Sequence, residues 1–315
     1  MKKDVYILAI ESSCDETSMA IIKNGTDNIK TTILTQMDTH ALYGGVVPEI
    51  ASRMHSENIT MVFEDVFKDT NLTMDDIDAV AVTYAPGLLG SLLVGIEFAK
   101  TIALVYKKPL IKVHHIAGHI YANNLVKKMQ FPLLALVISG GHTELVLMED
   151  DYKFKVLGKT LDDAIGEVYD KVARVLFNQF PGGPVIDQIF QDNRNKISTN
   201  IKLLNPKLEQ ELDFSFSGYK TQIMNLSKLD SINKIELAYT FQQQTIDFII
   251  SKVKLAIAKY QTKSIILSGG VSANSYLREQ FLKLHSNALI PSLKYSTDNG
   301  AMIAIAAYIQ KINNK

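Results

Sequence analysis

Tyr6-Ile-Leu-Ala-Ile10, Glu11-Ser-Ser-Cys-Asp-Glu-Thr17 and Ser18-Met-Ala-Ile-Ile22 follow one another without a break. An apolar run, a small polar turn and a second apolar run predict a strand that doubles back on itself. The same grammar returns at residues 133–138, Ser139-Gly-Gly-His-Thr143 and 144–148. A second pattern also recurs. Residues 79–83 form an apolar strand that runs through Pro86-Gly87 into a helix. Residues 264–267 run through Ser268-Gly269-Gly270 into a helix starting near Asn274. Hairpin first and strand–glycine–helix later, in both halves, predicts a duplicated α/β lobe. Two such lobes are expected to face each other across a cleft.

Size and charge agree with this. The chain has 315 residues, 47% of them hydrophobic, enough for two domains or one bilobal unit. Its 33 basic and 33 acidic side chains cancel, which argues against holding nucleic acid by bulk electrostatics alone. The single Cys14 excludes an internal disulfide and a thiolate metal cage, fits a reducing compartment, and reads as a small buried side chain. Lys2-Lys3 precede an apolar run too short for a secretory signal, ended by Glu11. The apolar stretch 85–106 carries Glu97 and Lys100, so it reads as a buried helix and not a membrane span. Gly87, Ser91, Gly95 and Ala99 give it a small-residue face for close packing. Residues 191–200 read as a polar loop.

Chemistry concentrates in a few places. In a helix, His115 and His119 would point from one face, near enough to share a metal ion. Spacing alone leaves ordinary core or cap histidines equally open. Asp298 precedes an apolar helix and reads as its N-cap, or as the carboxylate of a two-histidine site suited to Fe(2+) or Zn(2+). The glycine turns after buried strands, with Pro181-Gly-Gly-Pro184, suit close approach of a phosphate. Asp170, Lys171 and Asp187 flank the last of these, and Asp162, Asp163 and Glu167 read as a solvated helix face. Gly158-Lys159-Thr160 lacks the first glycine of a P-loop, and no His-Glu-x-x-His or G-x-S-x-G is present.

Nine motifs in order resemble one family. They are Ile10-Glu-Ser-Ser-Cys-Asp-Glu-Thr17, Tyr43-Gly-Gly-Val-Val-Pro-Glu49, Ala85-Pro-Gly-Leu88, His114-His-Ile-Ala-Gly-His119, Ser139-Gly-Gly-His-Thr143, Pro181-Gly-Gly-Pro184, Asp213-Phe-Ser-Phe-Ser-Gly218, Gly269-Gly-Val-Ser-Ala-Asn274 and Thr297-Asp-Asn-Gly-Ala301. Together they are similar to the TsaD family of tRNA threonylcarbamoyladenosine transferases. The resemblance implies two RNase H-like lobes of the actin/sugar-kinase/Hsp70 (ASKHA) fold, residues 1–128 with 297–315 and residues 129–296. It implies transfer of a threonylcarbamoyl group from threonylcarbamoyl-AMP to N6 of adenosine 37 in tRNAs reading ANN codons, with a metal ion in the cleft.

By motif position His115, His119 and Asp298 would hold that ion, Fe(2+) before Zn(2+). Val137, Ile138, Ser139, Gly140 and Gly141 would line the adenylate; Asp170, Gly183, Asp187 and Asn274 would contact its nucleotide part. Glu11 and Asp15 would serve catalysis by ordering water or substrate. Partners would be tRNA, a smaller TsaB-type paralogue and a small TsaE-type ATPase, in the cytoplasm and away from membranes. The chain departs from the family pattern at Tyr219, where leucine is usual, and in stopping at Lys315, sooner than many members. A small-molecule kinase on the same fold, a metallopeptidase and a nucleotide-regulated scaffold are the rival readings. The histidine pair counts against the first and the missing His-Glu-x-x-His against the second; transfer to tRNA would exclude the third.

Overall fold

The computed structural model describes residues 4–313, so Lys2, Lys3 and Lys315 lie outside the described residues. The chain forms two compact units. One is built from the chain up to Lys128 and from Pro291 onward; the other is Met129–Ile290.

The first unit opens with β1 (Tyr6–Glu11), β2 (Glu16–Lys23) and β3 (Asp27–Thr35), an antiparallel meander. Helices α1 (Met37–Tyr43) and α2 (Pro48–Phe67) follow. Then β4 (Ala79–Ala85) pairs parallel to β1, and β5 (Leu110–His114) parallel to β4, joined by α3 (Leu89–Val105). Helix α4 (His115–Tyr121) continues directly from β5. The sheet order is β3-β2-β1-β4-β5.

The second unit repeats the plan. Strands β6 (Leu133–Ile138), β7 (Thr143–Met148) and β8 (Phe154–Lys159) form the meander. Helices α5 (Ile165–Phe177), α6 (Gly182–Asn193), α7 (Ser217–Leu226) and α8 (Lys234–Lys259) follow. Strand β9 (Ser264–Ser268) lies parallel to β6, then α9 (Ser275–Leu282) leads to β10 (Ala288–Leu289). The order β10-β9-β6-β7-β8 is that of the first sheet, strand for strand, with the same parallel and antiparallel pairings. The duplicated lobe expected from the sequence is what forms. Helix α10 (Gly300–Asn313) returns to the first unit and packs on β1, β2 and α4.

Burial explains the strand sequences. Strand β1 has α10 against it, α2 packs on β2 and α3 on β4, so both faces of the first sheet are covered. Such strands are continuous apolar runs and do not alternate. Leu8, Ile10, Met19, Ile21, Val80 and Val82 form that core; Leu134, Leu136, Phe214, Phe241 and Leu267 belong to its counterpart in the second unit.

Three expectations change. The first polar turn shrinks to residues 12–15, because Glu16 and Thr17 join β2 and pair with Thr35 and Leu34. Helix α3 is buried on one face only: Ser91, Leu92, Gly95, Ile96, Ala99 and Ala103 face inward, while Leu89, Leu93 and Leu104 are exposed. Residues 191–193 belong to α6, so the polar loop starts later. Tyr219, the departure from leucine, is buried, and its hydroxyl donates to Asn205 Oδ1 at 2.6 Å. Among the described residues no helix is long and apolar enough to cross a membrane.

Candidate metal centre

Strands β1, β4 and β5 lie side by side, and each changes from apolar to polar at its carboxyl end. Ile10 stands opposite Val82, and Thr83 opposite Val113. The next residues, Glu11, Thr83 and the pair His114-His115, therefore gather at one edge of the sheet, the edge where parallel α/β sheets carry ligands.

Helix α4 then turns His115 and His119 onto one face. Their rings pack edge to face with centroids 4.6 Å apart. Asp298, just ahead of α10, completes the group. Its Oδ1 lies 3.1 Å from His119 Nε2 and 3.6 Å from His115 Nε2. One ligand atom from each of the three residues falls within 4.8 Å of the other two. For a tetrahedral ion with bonds of about 2.1 Å, ligand atoms stand about 3.4 Å apart, so the donors fit a common ion.

Four observations test that fit. First, His40, His55, His115 and His119 are all buried, but they are not alike. His40 bonds Gln36 Oε1 at 3.1 Å and accepts from Val47 N–H at 3.3 Å. His55 bonds Thr17 Oγ1 at 2.7 Å and the Cys14 carbonyl at 2.9 Å. These are satisfied core histidines. Both ring nitrogens of His119 lack a hydrogen-bond partner at 1% exposure, an arrangement costing about 1–3 kcal/mol per orphaned group.

Second, His119 Nε2 and Asp298 Oδ1 are 3.1 Å apart yet form no hydrogen bond. Closeness without alignment is what two lone pairs aimed at a third point produce. Third, Asp298 is not the helix cap. The Asn299 side chain accepts the Met302 N–H at 3.0 Å, and Ser18 Oγ accepts the Gly300 N–H at 2.9 Å. Fourth, the surroundings are acidic. Burial, together with Asp15, Asp298 and Glu11, pushes the Glu16 carboxyl up to about 10, as expected of a carboxyl group withdrawn from water among other carboxylates. Burial, with Asp15, Asp298 and Glu16, pushes the Cys14 thiol up, leaving it protonated and unreactive.

Around His115, burial lowers basicity, but Asp298 and Glu11 outweigh it and hold the ring up at about 9. Without an ion, His115 is therefore protonated at neutral pH, and a ligand must offer a bare nitrogen, so binding expels a proton. Metal affinity measured by chelator competition is expected to rise about tenfold per pH unit from neutrality to about 9, then level off. A flat profile over that range would rule out the protonated ring.

The remaining site residues fall as follows. His114 is exposed at the end of β5, outside the three-residue cluster. Glu11 is fully buried and spoken for: its Oε1 accepts the Ser13 N–H at 2.5 Å, and its Oε2 accepts from Thr83 Oγ1 at 2.5 Å. Asp15 is half-buried in the turn after β1, and its carbonyl accepts from Gln36 N–H.

In the second unit, Val137 and Ile138 have no exposed side-chain surface; they position the turn that follows. A Cβ at Gly140, Gly141, Gly183 or Gly270 would meet nothing within 4 Å, so the backbone there can be approached closely. The neighbouring glycines serve the opposite purpose. A Cβ at Gly182 would stand 2.3 Å from the Tyr169 carbonyl, and one at Gly269 would stand 2.2 Å from the Ile138 carbonyl. The pairs Gly182-Gly183 and Gly269-Gly270 thus pack with the first residue and expose the second, whereas Gly140 and Gly141 are both open.

Asp170 accepts the Gly182 N–H at 2.6 Å. Asp187 accepts from Gln242, from Ser275 N–H and from Ser275 Oγ, tying α6 to α8 and α9. Asn274 caps α9 through the Leu277 N–H and donates to Gln242. Asp162 and Asp163 lie ahead of α5, not on a solvated helix face. Asp162 accepts from Phe216 N–H and Ser215 Oγ, while Asp163 pairs with Lys171 and Lys220.

Two α/β units of one topology, with bare glycine turns at strand ends, define an actin/sugar-kinase/Hsp70-type protein, and solved structures agree on the fold. Full-length HypF in its phosphate- and nucleotide-bound form matches with TM-score 0.66 and 14% identity, over 100% of this chain and 48% of HypF. This chain thus spans about half the length of HypF. The (R)-2-hydroxyglutaryl-CoA dehydratase component A of Acidaminococcus fermentans matches with TM-score 0.58 and 13% identity, over 99% of this chain and 100% of that one.

Sequence comparison is narrower. The family model of TsaD, tRNA N6-adenosine threonylcarbamoyltransferase, matches residues 28–305. The tRNA N6-adenosine threonylcarbamoyltransferase of Bacillus thuringiensis (strain Al Hakam) is 48% identical over 98% of this chain and 92% of its own length. That of Listeria monocytogenes serovar 1/2a (strain EGD-e) is 46% identical over 100% and 94%. The chain belongs to the TsaD family and is a tRNA-modifying transferase.

Proposed function

We propose that this enzyme moves the threonylcarbamoyl group of threonylcarbamoyl-AMP to N6 of adenosine 37 in tRNAs reading ANN codons, using one divalent ion, Fe(2+) or Zn(2+), held by His115, His119 and Asp298. The observation that carries the metal is His119, buried with neither ring nitrogen hydrogen-bonded and its Nε2 3.1 Å from Asp298.

The donor is a mixed anhydride and already activated. Adenine N6 attacks the carbamoyl carbon and an N–C bond forms. The bond from that carbon to the phosphate oxygen breaks, AMP leaves with the electron pair, and N6 gives up one proton. No protein nucleophile is required, in keeping with the suppressed Cys14 thiol. When bound, the ion would supply Lewis-acid polarisation of donor oxygens. In the second unit the bare turns at Ser139, Gly140, Gly141 and Gly183 are proposed to receive the adenylate, and Asp170, Asp187 and Asn274 to fix α6 and α9 and contact its nucleotide part. Asp15 is proposed to order water or substrate. Exocyclic amines are weak nucleophiles, so positioning supplies much of the rate.

The balanced net charge leaves tRNA binding to a local patch or to partners. A smaller TsaB-type paralogue and a TsaE-type ATPase are the proposed partners, and the exposed Leu89, Leu93 and Leu104 of α3, with Leu42 and Tyr43, support an interaction surface on the first unit. Cytoplasmic location is proposed from the free Cys14.

The test mixes the protein with its partner proteins, threonylcarbamoyl-AMP and unmodified tRNA, digests the tRNA and looks for the modified nucleoside by mass spectrometry. Modification that is lost on chelation and restored by Fe(2+) or Zn(2+) is expected. Full activity in chelator would overturn the metal's part, and no modification under any condition would overturn the transfer.

A further inference from the structure

Glu11 has no exposed surface, and a buried carboxyl group must find partners for its oxygens. It finds them all at the carboxyl edge of the first sheet. Oε1 accepts the Ser13 N–H at 2.5 Å, and Oε2 accepts from Thr83 Oγ1 at 2.5 Å and lies 3.2 Å from His115 Nδ1. Ser13 Oγ also lies 3.2 Å from that nitrogen. The opposite ring nitrogen, Nε2, faces Asp298 at 3.6 Å.

We infer that Glu11 is a positioning residue: it takes the Nδ1–H of His115, and so fixes the tautomer and ring rotation that leave Nε2 bare toward His119 and Asp298. Thr83 and Ser13 fix Glu11 in turn. The inference rests on the cluster being a metal centre.

The assignment follows from donor and acceptor counts. A neutral imidazole carries one proton, and which nitrogen holds it is set by the partner of the other. A carboxyl oxygen already receiving a hydroxyl can still accept an N–H, and it is the better acceptor of the two groups at Nδ1. The two histidines differ here. His119 has no hydrogen bond at Nδ1, so orientation of the pair falls to His115, and through it to Glu11. A side chain sealed at zero exposure offers no surface to substrate, which separates Glu11 from the catalytic role implied by the family resemblance.

Glu11→Gln is the sharp variant. Its amide oxygen can keep the Ser13 N–H, which turns the NH2 toward His115 Nδ1 and Thr83. The amide then donates where the carboxyl accepted, and the proton of His115 is driven to Nε2. Thr83→Val removes one support of the carboxyl without touching the histidine.

Wild type and both variants are purified full-length and metal-free, and checked for folding by circular dichroism. Affinity for Zn(2+) and Co(2+) is measured by chelator competition on the high-pH plateau. Imidazole nitrogen NMR of the zinc-loaded protein reports the His115 tautomer. Glu11→Gln is expected to bind about 10- to 100-fold more weakly and to lose the Nδ1–H signal, with Thr83→Val weaker by less than about tenfold.

Affinity unchanged in both variants would overturn the inference. So would lost transfer with unchanged affinity and tautomer, because Glu11 would then act on the chemistry itself. If Glu11→Gln fails to fold, Thr83→Val decides on the same readouts. A wild type that binds neither ion overturns the metal centre and this inference together, whereas a wild type that binds beside unaffected variants overturns this inference alone.

Discussion

Replacing His119 by alanine is expected to weaken metal binding a few hundredfold and to abolish tRNA modification while leaving the metal-free protein as stable as wild type, or slightly more so. Structural zinc is bound with ~10–16 kcal/mol, usually over four ligands, so one ligand is worth about 3 kcal/mol and its loss a few hundredfold in affinity. Stability moves the other way. The ring is buried with both nitrogens unpaired, so truncation relieves a desolvation cost of about 1–3 kcal/mol per group and offsets much of the cavity it leaves. A core histidine behaves differently. His55→Ala breaks the bonds to Thr17 and the Cys14 carbonyl and is expected to cost about 2–3 kcal/mol. Chelator competition and thermal unfolding of both variants, each metal-free, separate the two kinds of histidine. His119→Ala protein that unfolds well below wild type and binds zinc as tightly would sink the metal reading, and normal transfer by it would remove the ion from the reaction.

Gly269→Ala is expected to destabilise the second unit by about 2–6 kcal/mol, a large share of the ~5–15 kcal/mol that holds a typical domain together. Gly269 has φ +89°, and its Cβ would stand 2.2 Å from the Ile138 carbonyl oxygen and 2.7 Å from the carbonyl carbon. Those atoms are backbone in β6, which is hydrogen-bonded on one side to β7 and on the other to β9. Neither can yield without disturbing a ladder. Gly270→Ala is the contrast. A Cβ there meets nothing within 4 Å, so the urea midpoint is expected to stay put while affinity for AMP falls. Equal midpoints for the two variants would show that the turn is softer than its geometry indicates.

Much of this fold and site is legible in the amino-acid sequence. The two hairpins and the two strand–glycine–helix units were readable because the inner strands β1, β2, β4, β6, β7 and β9 are almost wholly buried, which makes each a nearly unbroken apolar run. The histidine pair was readable because helical spacing is local. Other features were not. Asp298 and Asn299 are adjacent and both good caps, and only the Asn299–Met302 bond tells which of them caps α10. The Glu11, Thr83 and His115 contacts join two strands and the first residue of α4, far apart in sequence, so no local pattern contains them. Their trace was there nonetheless: each member stands where an apolar strand ends, and parallel pairing brings such ends together. Helix α8 also left a sign unused, since Asn233 accepts the N–H groups of Ile235 and Glu236 as an N-cap.

The first unit is interrupted. Its chain breaks off at Lys128 and resumes at Pro291, with the whole second unit strung between. Asp298 and α10 come only with the second instalment. A nascent or truncated polypeptide that stops short of them carries both histidines but neither the third donor nor the helix that roofs β1 and β2. The three-residue cluster is therefore completed only when the last part of the first unit is in place, and an abortive product that lacks it leaves apolar faces of β1 and β2 without the helix that packs on them.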